Sequence, residues 1–277
     1  MTTWKSFLTR ATSAIIALAL IIGLYVTLAV DGIKIAVCLI VAIGAYELLG
    51  ILFKNENSKF LKYFFYVLSL AVFAASISSL SVGSLAFSLS LITYIIAVLL
   101  VSHKQGELNS MATYCAKGAL GLFYIGLLPS FAYRILEHNN GIAWFTFLLA
   151  VVFAGDTMAY IFGVLIGRHK VMPSVSPKKT WEGSIGGTVG SLLAAVICWL
   201  AMFPEVSLTP LLILAALAGF AGQFGDFFES LLKRVSDVKD SGKIMPGHGG
   251  VLDRVDAVLF ASPVILSGIL ILSHLLS

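Results

Sequence analysis

Residues 208–272 read LTPLLILAALAGFAGQFGDFFESLLKRVSDVKDSGKIMPGHGGVLDRVDAVLFASPVILSGILIL. Two apolar runs, near 209–232 and 254–275, each supply the ~20 residues that a bilayer core requires. Between them lies a segment dense in charge, glycine and proline. The stretch reads as two membrane spans joined by an aqueous loop, and the acids that intrude on the spans, Asp226, Glu229 and Asp256, call for an explanation.

The same reading extends to the whole chain. Of its 277 residues, 59% are hydrophobic and 12% charged, with a mean hydropathy of +0.99. Soluble domains carry about 25% charged residues, so a soluble globular fold is excluded. Seven further spans lie near 11–30, 32–53, 61–80, 83–101, 116–136, 142–166 and 184–203. The fold class is therefore an all-α integral membrane protein of about nine transmembrane helices. The first span follows the basic start MTTWKSFLTR, yet its apolar run is too long for a signal peptide and is expected to remain as a membrane helix.

Charge placement orients these spans, because Lys and Arg accumulate in cytoplasmic loops. With a cytoplasmic N-terminus, Lys34 and Arg134 alone among the 18 basic residues fall at outer ends. The C-terminus is then expected outside. Residues 1–149 are short-looped and poor in ionisable groups, Glu47 being the main exception, and read as a scaffold with possible lipid access. Residues 150–277 carry the longer inner loops 167–183 and 233–253 and read as the catalytic region. Cys38, Cys115 and Cys198 lie in or beside apolar stretches with no CxxC spacing, so neither a zinc site nor a disulfide framework is indicated.

A carboxylate inside a span costs roughly 2.5 kcal/mol or more on insertion scales, so it faces protein or water and usually has a purpose. Asp226, Glu229, Ser230 and Lys233 stand at i, i+3, i+4 and i+7, on one stripe of a helix. With the helix ending near Arg234, Asp226 lies ~12 Å inside that end, at headgroup depth. Asp253 and Asp256 repeat the i, i+3 spacing at the start of the next helix, with Arg254 between them. Such acids suit a hard divalent cation, which takes a few carboxylate oxygens plus water and substrate phosphates. They equally suit an ion-pair lattice with Lys233, Arg234 and Arg254 that merely joins helices.

Between those helices, Gly242, Gly247, Gly249 and Gly250 allow close backbone approach to a ligand, and Lys239, Lys243 and His248 offer donors for phosphate oxygens. This is not a Walker A loop, since no GxxxxGK[ST] occurs. The other inner loop sets Lys178 and Lys179 beside Ser176 and Thr180, a possible polyphosphate clamp, and Trp181 suits the interface or a base. Lipid-surface attraction alone would also explain the basic residues. Gly183, Gly186, Gly187 and Gly190 look like a small-residue packing stripe. Asp156, in GDTMAY, is either a residue behind a metal ligand or a helix-joining hydrogen bonder.

The segment SLLKRVSDVKDSGKIMPGHGGVLDRVD, Ser230 to Asp256, resembles the signature of the phosphatidate cytidylyltransferase (CDP-diacylglycerol synthase) family, bacterial type. GQFGDFFES (222–230) and SPKKTWEGSIGG (176–187) also resemble that family, whereas the first half is similar only in hydropathy. Met245 and Ala257 depart from the pattern, and Ala257 leaves no hydroxyl where family members often have Ser. The resemblance implies transfer of CMP from CTP to phosphatidate for phospholipid biosynthesis, by a Mg²⁺-dependent homodimer in the bacterial inner membrane with its site facing the cytoplasm. The sequence leaves open a second cation, and no nucleic-acid partner is expected.

On this reading Asp226 and Asp253 hold the metal, with Asp256 and Glu229 as further ligands or behind them. Catalysis is assigned to Asp226, Asp253, Lys233 and Arg234. Substrate contacts are assigned to Lys178, Lys179, Ser230, Lys239, His248, Gly249, Gly250 and Arg254. Rival readings are a transporter with carboxylate relays, opposed by the inner-side clustering and the lack of an inverted repeat, and another CTP-using lipid enzyme such as a polyprenol kinase. CDP-alcohol phosphotransferases are disfavoured because their DGxxAR motif is absent.

Overall fold

A computed structural model describes residues 3–54, 58–103, 108–247 and 249–276, with the side chains of 3–8, 10, 11, 14 and 274–276 left aside. Lys104 and His248 lie outside the described residues, as do the side chains of Lys5 and Arg10. Long helices account for nearly all of the rest: α1 (Thr3–Leu52), α2 (Lys59–Ser78), α3 (Leu80–Ser102), α4 (Leu108–Gly121), α5 (Leu128–Ile135), α6 (Gly141–Leu165), α7 (Trp181–Met202), α8 (Leu208–Val235) and α9 (Leu252–Leu276). A π-helical turn, Leu122–Leu127, joins α4 to α5 in one continuous rod. Extended pairing among the described residues is limited to two isolated antiparallel bridges, Lys170 with Thr180 and Met245 with Gly249.

Eight described helical segments are long and apolar enough to cross a membrane, and the chain is a multi-pass membrane protein. The nine expected spans differ from these eight at the first, Ile15–Leu52, which is too long for one straight crossing. Ala29 interrupts it with φ 52° and ψ −131°. In an unbroken helix residues 24 and 32 would be ~12 Å apart; here a Cβ on Gly32 would overlap the Leu24 carbonyl oxygen. The chain folds back at Ala29, beside the boundary drawn from sequence between residues 30 and 32.

The contacts divide the chain into two compact units, residues 1–133 with 236–254, and residues 134–235 with 255–277. In the first, α2 packs on α1, α3 and the π-helical turn. Its centre is aromatic: Phe53 lies against Phe65, Tyr94 and Tyr114 at centroid distances of 5.2, 6.4 and 6.2 Å. Small residues admit these rings, since a Cβ on Gly118 would collide with Tyr94 and one on Gly121 would stand 2.5 Å from Phe65.

In the second unit, α7 packs between α6 and α8. The glycine stripe of α7 performs the packing expected of it. A Cβ on Gly190 would stand 2.6 Å from the Ala154 carbonyl oxygen, and one on Gly186 would stand 2.5 Å from the Phe162 ring. Ser191 Oγ donates to the Val151 carbonyl at 3.0 Å and Gln223 Nε2 to the Ser184 carbonyl at 3.1 Å, so polar bonds fasten α7 to α6 and to α8. In a lipid environment, close backbone approach and such bonds replace the hydrophobic effect as the source of helix association.

Gly190→Leu is therefore expected to unfold at a markedly lower temperature in detergent, because the α6 backbone occupies the space its side chain needs. Gly222→Ala should unfold at an equal or higher temperature: its Cβ meets Ala257 at ordinary contact distances of 3.4 and 3.6 Å, and Ala gains up to ~1 kcal/mol over Gly in a helix. Thermal melts of the two variants check the contrast.

Candidate active site

In the second unit the stripe predicted on α8 forms. Ser230 Oγ donates to Asp226 Oδ1 at 3.4 Å, and Lys233 Nζ lies 2.7 Å from Glu229 Oε2. Glu229 is 1% exposed, so its ionised form needs that ammonium partner. At the end of α8, Lys233 and Arg234 stand where the helix dipole favours cations.

Gly225 explains why acids from two helices meet. Lacking a Cβ, it lets the Asp256 carbonyl oxygen approach to where a side chain would stand 2.5 Å away. Asp256, 8% exposed, lies beside Glu229 and within electrostatic reach of Asp226 and Asp156. Asp156 on α6 in turn feels Asp226 and Lys179. Four carboxyl groups from α6, α8 and α9 thus form one electrostatic cluster.

One cation enters this cluster from the loop before α7. Lys179 Nζ is 2.6 Å from Asp226 Oδ2 and 4.3 Å above the centre of the Phe227 ring. The loop is built to deliver it. Val171 N donates to the Lys179 carbonyl at 3.2 Å and Trp181 N to the His169 carbonyl at 2.9 Å, closing a hairpin. Thr180 caps α7, its Oγ1 accepting from Gly183 N at 3.2 Å. Glu182 accepts from Arg168 N at 3.1 Å and from His169 Nδ1 at 2.6 Å. Arg234 Nε donates to the Val175 carbonyl at 3.3 Å, tying the loop to the end of α8.

Asp253 belongs to the first unit, where its Oδ2 accepts from Ser241 N, Ser241 Oγ and Gly250 N, each at 2.9 Å. Gly249, with φ 86°, makes the turn that aims the next amide at this carboxylate. Lys178, Lys239, Lys243 and Arg254 are exposed, while Gly250 is buried. The substrate-contact assignment of His248 falls outside the described residues.

Three partnerships were not visible in the sequence pattern: Asp156 with Asp226, Lys179 with Asp226, and Ser241 with Asp253. Asp156 carried a signal, being an acid in an apolar span. The others join residues 47 and 12 positions apart, which no helical spacing reveals.

Among the described residues, no three His, Cys, Asp or Glu side chains converge tightly enough to enclose a metal by themselves. That donor set still fits Mg²⁺, which retains water and phosphate ligands and needs only one or two protein carboxylates. The Lys179 ammonium, in contact with Asp226, shows that a positive charge is accommodated at that carboxylate. Asp226 and Asp256 are the pair best suited to hold the cation.

Phosphatidate cytidylyltransferases of Staphylococcus saprophyticus and Staphylococcus haemolyticus are 40% and 38% identical to the chain over 154 residues, and that of Staphylococcus aureus is 36% identical over the same length. Each match covers 56% of this chain and 57% of the relative, so the chain spans little more than half the length of the curated relatives it matches. The cytidylyltransferase family model matches residues 8–272, nearly end to end. The chain belongs to the cytidylyltransferase family.

Proposed function

We propose that this protein transfers CMP from CTP to phosphatidate, forming CDP-diacylglycerol and pyrophosphate. The observation that carries the reading is the acid cluster of α6, α8 and α9 with Lys179 at Asp226, set in an apolar helix bundle. A lipid phosphate reaches such a site along the membrane and a nucleotide reaches it from water.

The phosphatidate phosphate is already ionised at neutral pH, so the reaction needs no protein nucleophile. A phosphate oxygen attacks the α-phosphorus of CTP in line. The bond from that phosphorus to the bridging oxygen breaks, and pyrophosphate leaves with the electron pair. The protein's work is to place two anions together and to offset their charge. Asp226 and Asp256 would hold Mg²⁺, with Glu229 behind Asp256 and Asp156 at the edge of the cluster. When bound, the metal supplies Lewis-acid neutralisation of phosphate charge. The assignment of Asp253 as a further ligand stands on its i, i+3 spacing from Asp256 alone.

Lys179, whose ammonium now rests on Asp226, would offer it to phosphate oxygens together with Lys178, Lys233 and Arg234. Ser230 orients Asp226 through its hydroxyl. Lys239, His248, Gly249, Gly250 and Arg254 retain the substrate-binding role that the loop's composition suggests. The surrounding cations draw in both CTP and anionic lipid.

The orientation is part of the same proposal: nine crossings, with α1 counted as two across the Ala29 break, and with the N-terminus and active site cytoplasmic in the bacterial inner membrane. We carry the homodimeric state from the family resemblance; the mass of the detergent-solubilised protein measures it.

Purified protein given phosphatidate and CTP labelled at the α-phosphate should place label in lipid, release equimolar pyrophosphate, and stop when EDTA is added. Asp226→Ala and Asp256→Ala should each lose on the order of 100-fold in kcat or more, the size of a removed charge-stabilising group. Label transfer from the γ-phosphate would instead identify a kinase, and normal turnover by Asp226→Ala would refute its role. For topology, a cysteine at Ser174 in a Cys-free background should resist an impermeant maleimide in intact cells, and one at Asn139 should react. The reverse pattern would invert the orientation.

A further inference from the structure

Glu47 is 4% exposed on α1, and the catalytic scheme above does not use it. Its carboxylate is nevertheless among the most fully satisfied groups in the first unit. Oε1 accepts from Val251 N at 3.1 Å. Oε2 accepts from Leu252 N at 2.9 Å and lies 3.3 Å from Ser241 Oγ. Leu252 opens α9 and Val251 immediately precedes it, at the end where backbone N–H groups lack helical partners and the dipole is positive. A side chain from one helix thus caps another that lies 204 and 205 residues away in sequence.

The cap continues into Asp253. Ser241 Oγ is 2.9 Å from Asp253 Oδ2 and accepts from Asp253 N at 3.3 Å, so a single hydroxyl stands between the carboxylates of Glu47 and Asp253. Ser241 N and Gly250 N complete three donors on the same Asp253 oxygen. The loop backbone presses directly on this arrangement, since a Cβ on Gly242 would overlap Glu47 Oε1 and one on Gly250 would overlap Ser241 Oγ. Three further bonds reach the loop from α1 and the residues just after it. Lys54 Nζ donates to the Ser236 and Asp237 carbonyls at 3.3 and 3.1 Å, and Ser13 Oγ donates to the Pro246 carbonyl at 3.0 Å.

From these contacts we infer that Glu47 is a positioning residue: it pins the start of α9 and, through Ser241, fixes the rotation of the Asp253 carboxylate. Its effect on turnover rests on the activity and the Asp253 assignment proposed above. Its effect on the loop does not. Gln is the informative replacement because it keeps the volume but presents an amide N–H where the carboxylate accepts from a backbone N–H. The mismatch releases one of the two α9 amides without opening a cavity. Ser241→Ala removes the bridge between the two carboxylates and the hydroxyl that accepts from Asp253 N, but leaves Glu47 on the Val251 and Leu252 amides.

The test combines two readouts on full-length protein in detergent. Hydrogen exchange at one of the two amides, Val251 or Leu252, should rise at least tenfold in Glu47→Gln, and both should stay near wild type in Ser241→Ala. In the CTP-incorporation assay both variants should lose kcat by ~10–100-fold, the range seen when groups orienting a ligand are removed. KM for CTP should change less, the unfolding temperature should stay within a few degrees, and the double variant should lose little more than the worse single one. Wild-type exchange at the two amides in Glu47→Gln overturns the pinning. Raised exchange with unchanged kcat, or a kcat loss that merely follows the unfolding temperature, overturns the link to Asp253. Should wild-type protein incorporate no CTP, the activity reading fails while the exchange arm still decides the pinning.

Discussion

An ionised carboxylate cannot remain inside an apolar helix bundle unless positive charge or N–H groups are brought to it. That constraint organises both units. Glu229 takes Lys233 at 2.7 Å and Asp226 takes Lys179 at 2.6 Å. Glu47 and Asp253 take backbone amides instead, at 2.9 to 3.1 Å and at 2.9 Å. Each acid therefore fixes a particular piece of chain, and the polar loops are folded by the acids they satisfy. The loop before α7 closes as a hairpin that delivers Lys179, and the loop before α9 wraps around Glu47 and Asp253.

The two solutions differ in what they leave possible. A backbone amide is a permanent partner, because moving it would unmake the start of a helix. A lysine is exchangeable: its ammonium sits on a flexible stem and can trade a carboxylate for a phosphate at little cost. Asp226, about one third exposed in its side chain and held by Lys179, is of the exchangeable kind. Breaking such a pair without replacement would cost several kcal/mol if it were fully buried, and less at this exposure. A divalent cation is the natural replacement, which connects the resting ion pair to the proposed chemistry.

Much of this was legible from the chain itself. Apolar runs placed the helices to within a few residues, because the bilayer sets a length that sequence must meet. α8 ends at Val235 and α9 begins at Leu252, beside the 233–253 loop boundaries. The i, i+3, i+4, i+7 stripe from Asp226 to Lys233 also survives intact, since helical geometry alone decides it. The start of α4 at Leu108 was missed by eight residues, as Asn109, Ser110 and Lys117 mask its helical continuity. The π-helical turn at Leu122–Leu127 has no local residue signature, whereas the reversal at Ala29 falls beside Asp31 and Gly32, where the spans 11–30 and 32–53 part. The partners of Glu47 and Lys179 are set by tertiary packing, so their identities had to come from the fold, although an acid within YELLG already marked a position that needed one.

The central claim is that the carboxylates of α8 and α9 bind a divalent cation which gathers substrate phosphates. Mn²⁺, a spectroscopic substitute for Mg²⁺, reports on it directly by electron paramagnetic resonance of the purified protein with CTP. The account predicts saturable Mn²⁺ binding that tightens with CTP and is abolished in Asp226→Asn, while the variant remains folded. Undiminished Mn²⁺ binding by folded Asp226→Asn would contradict it.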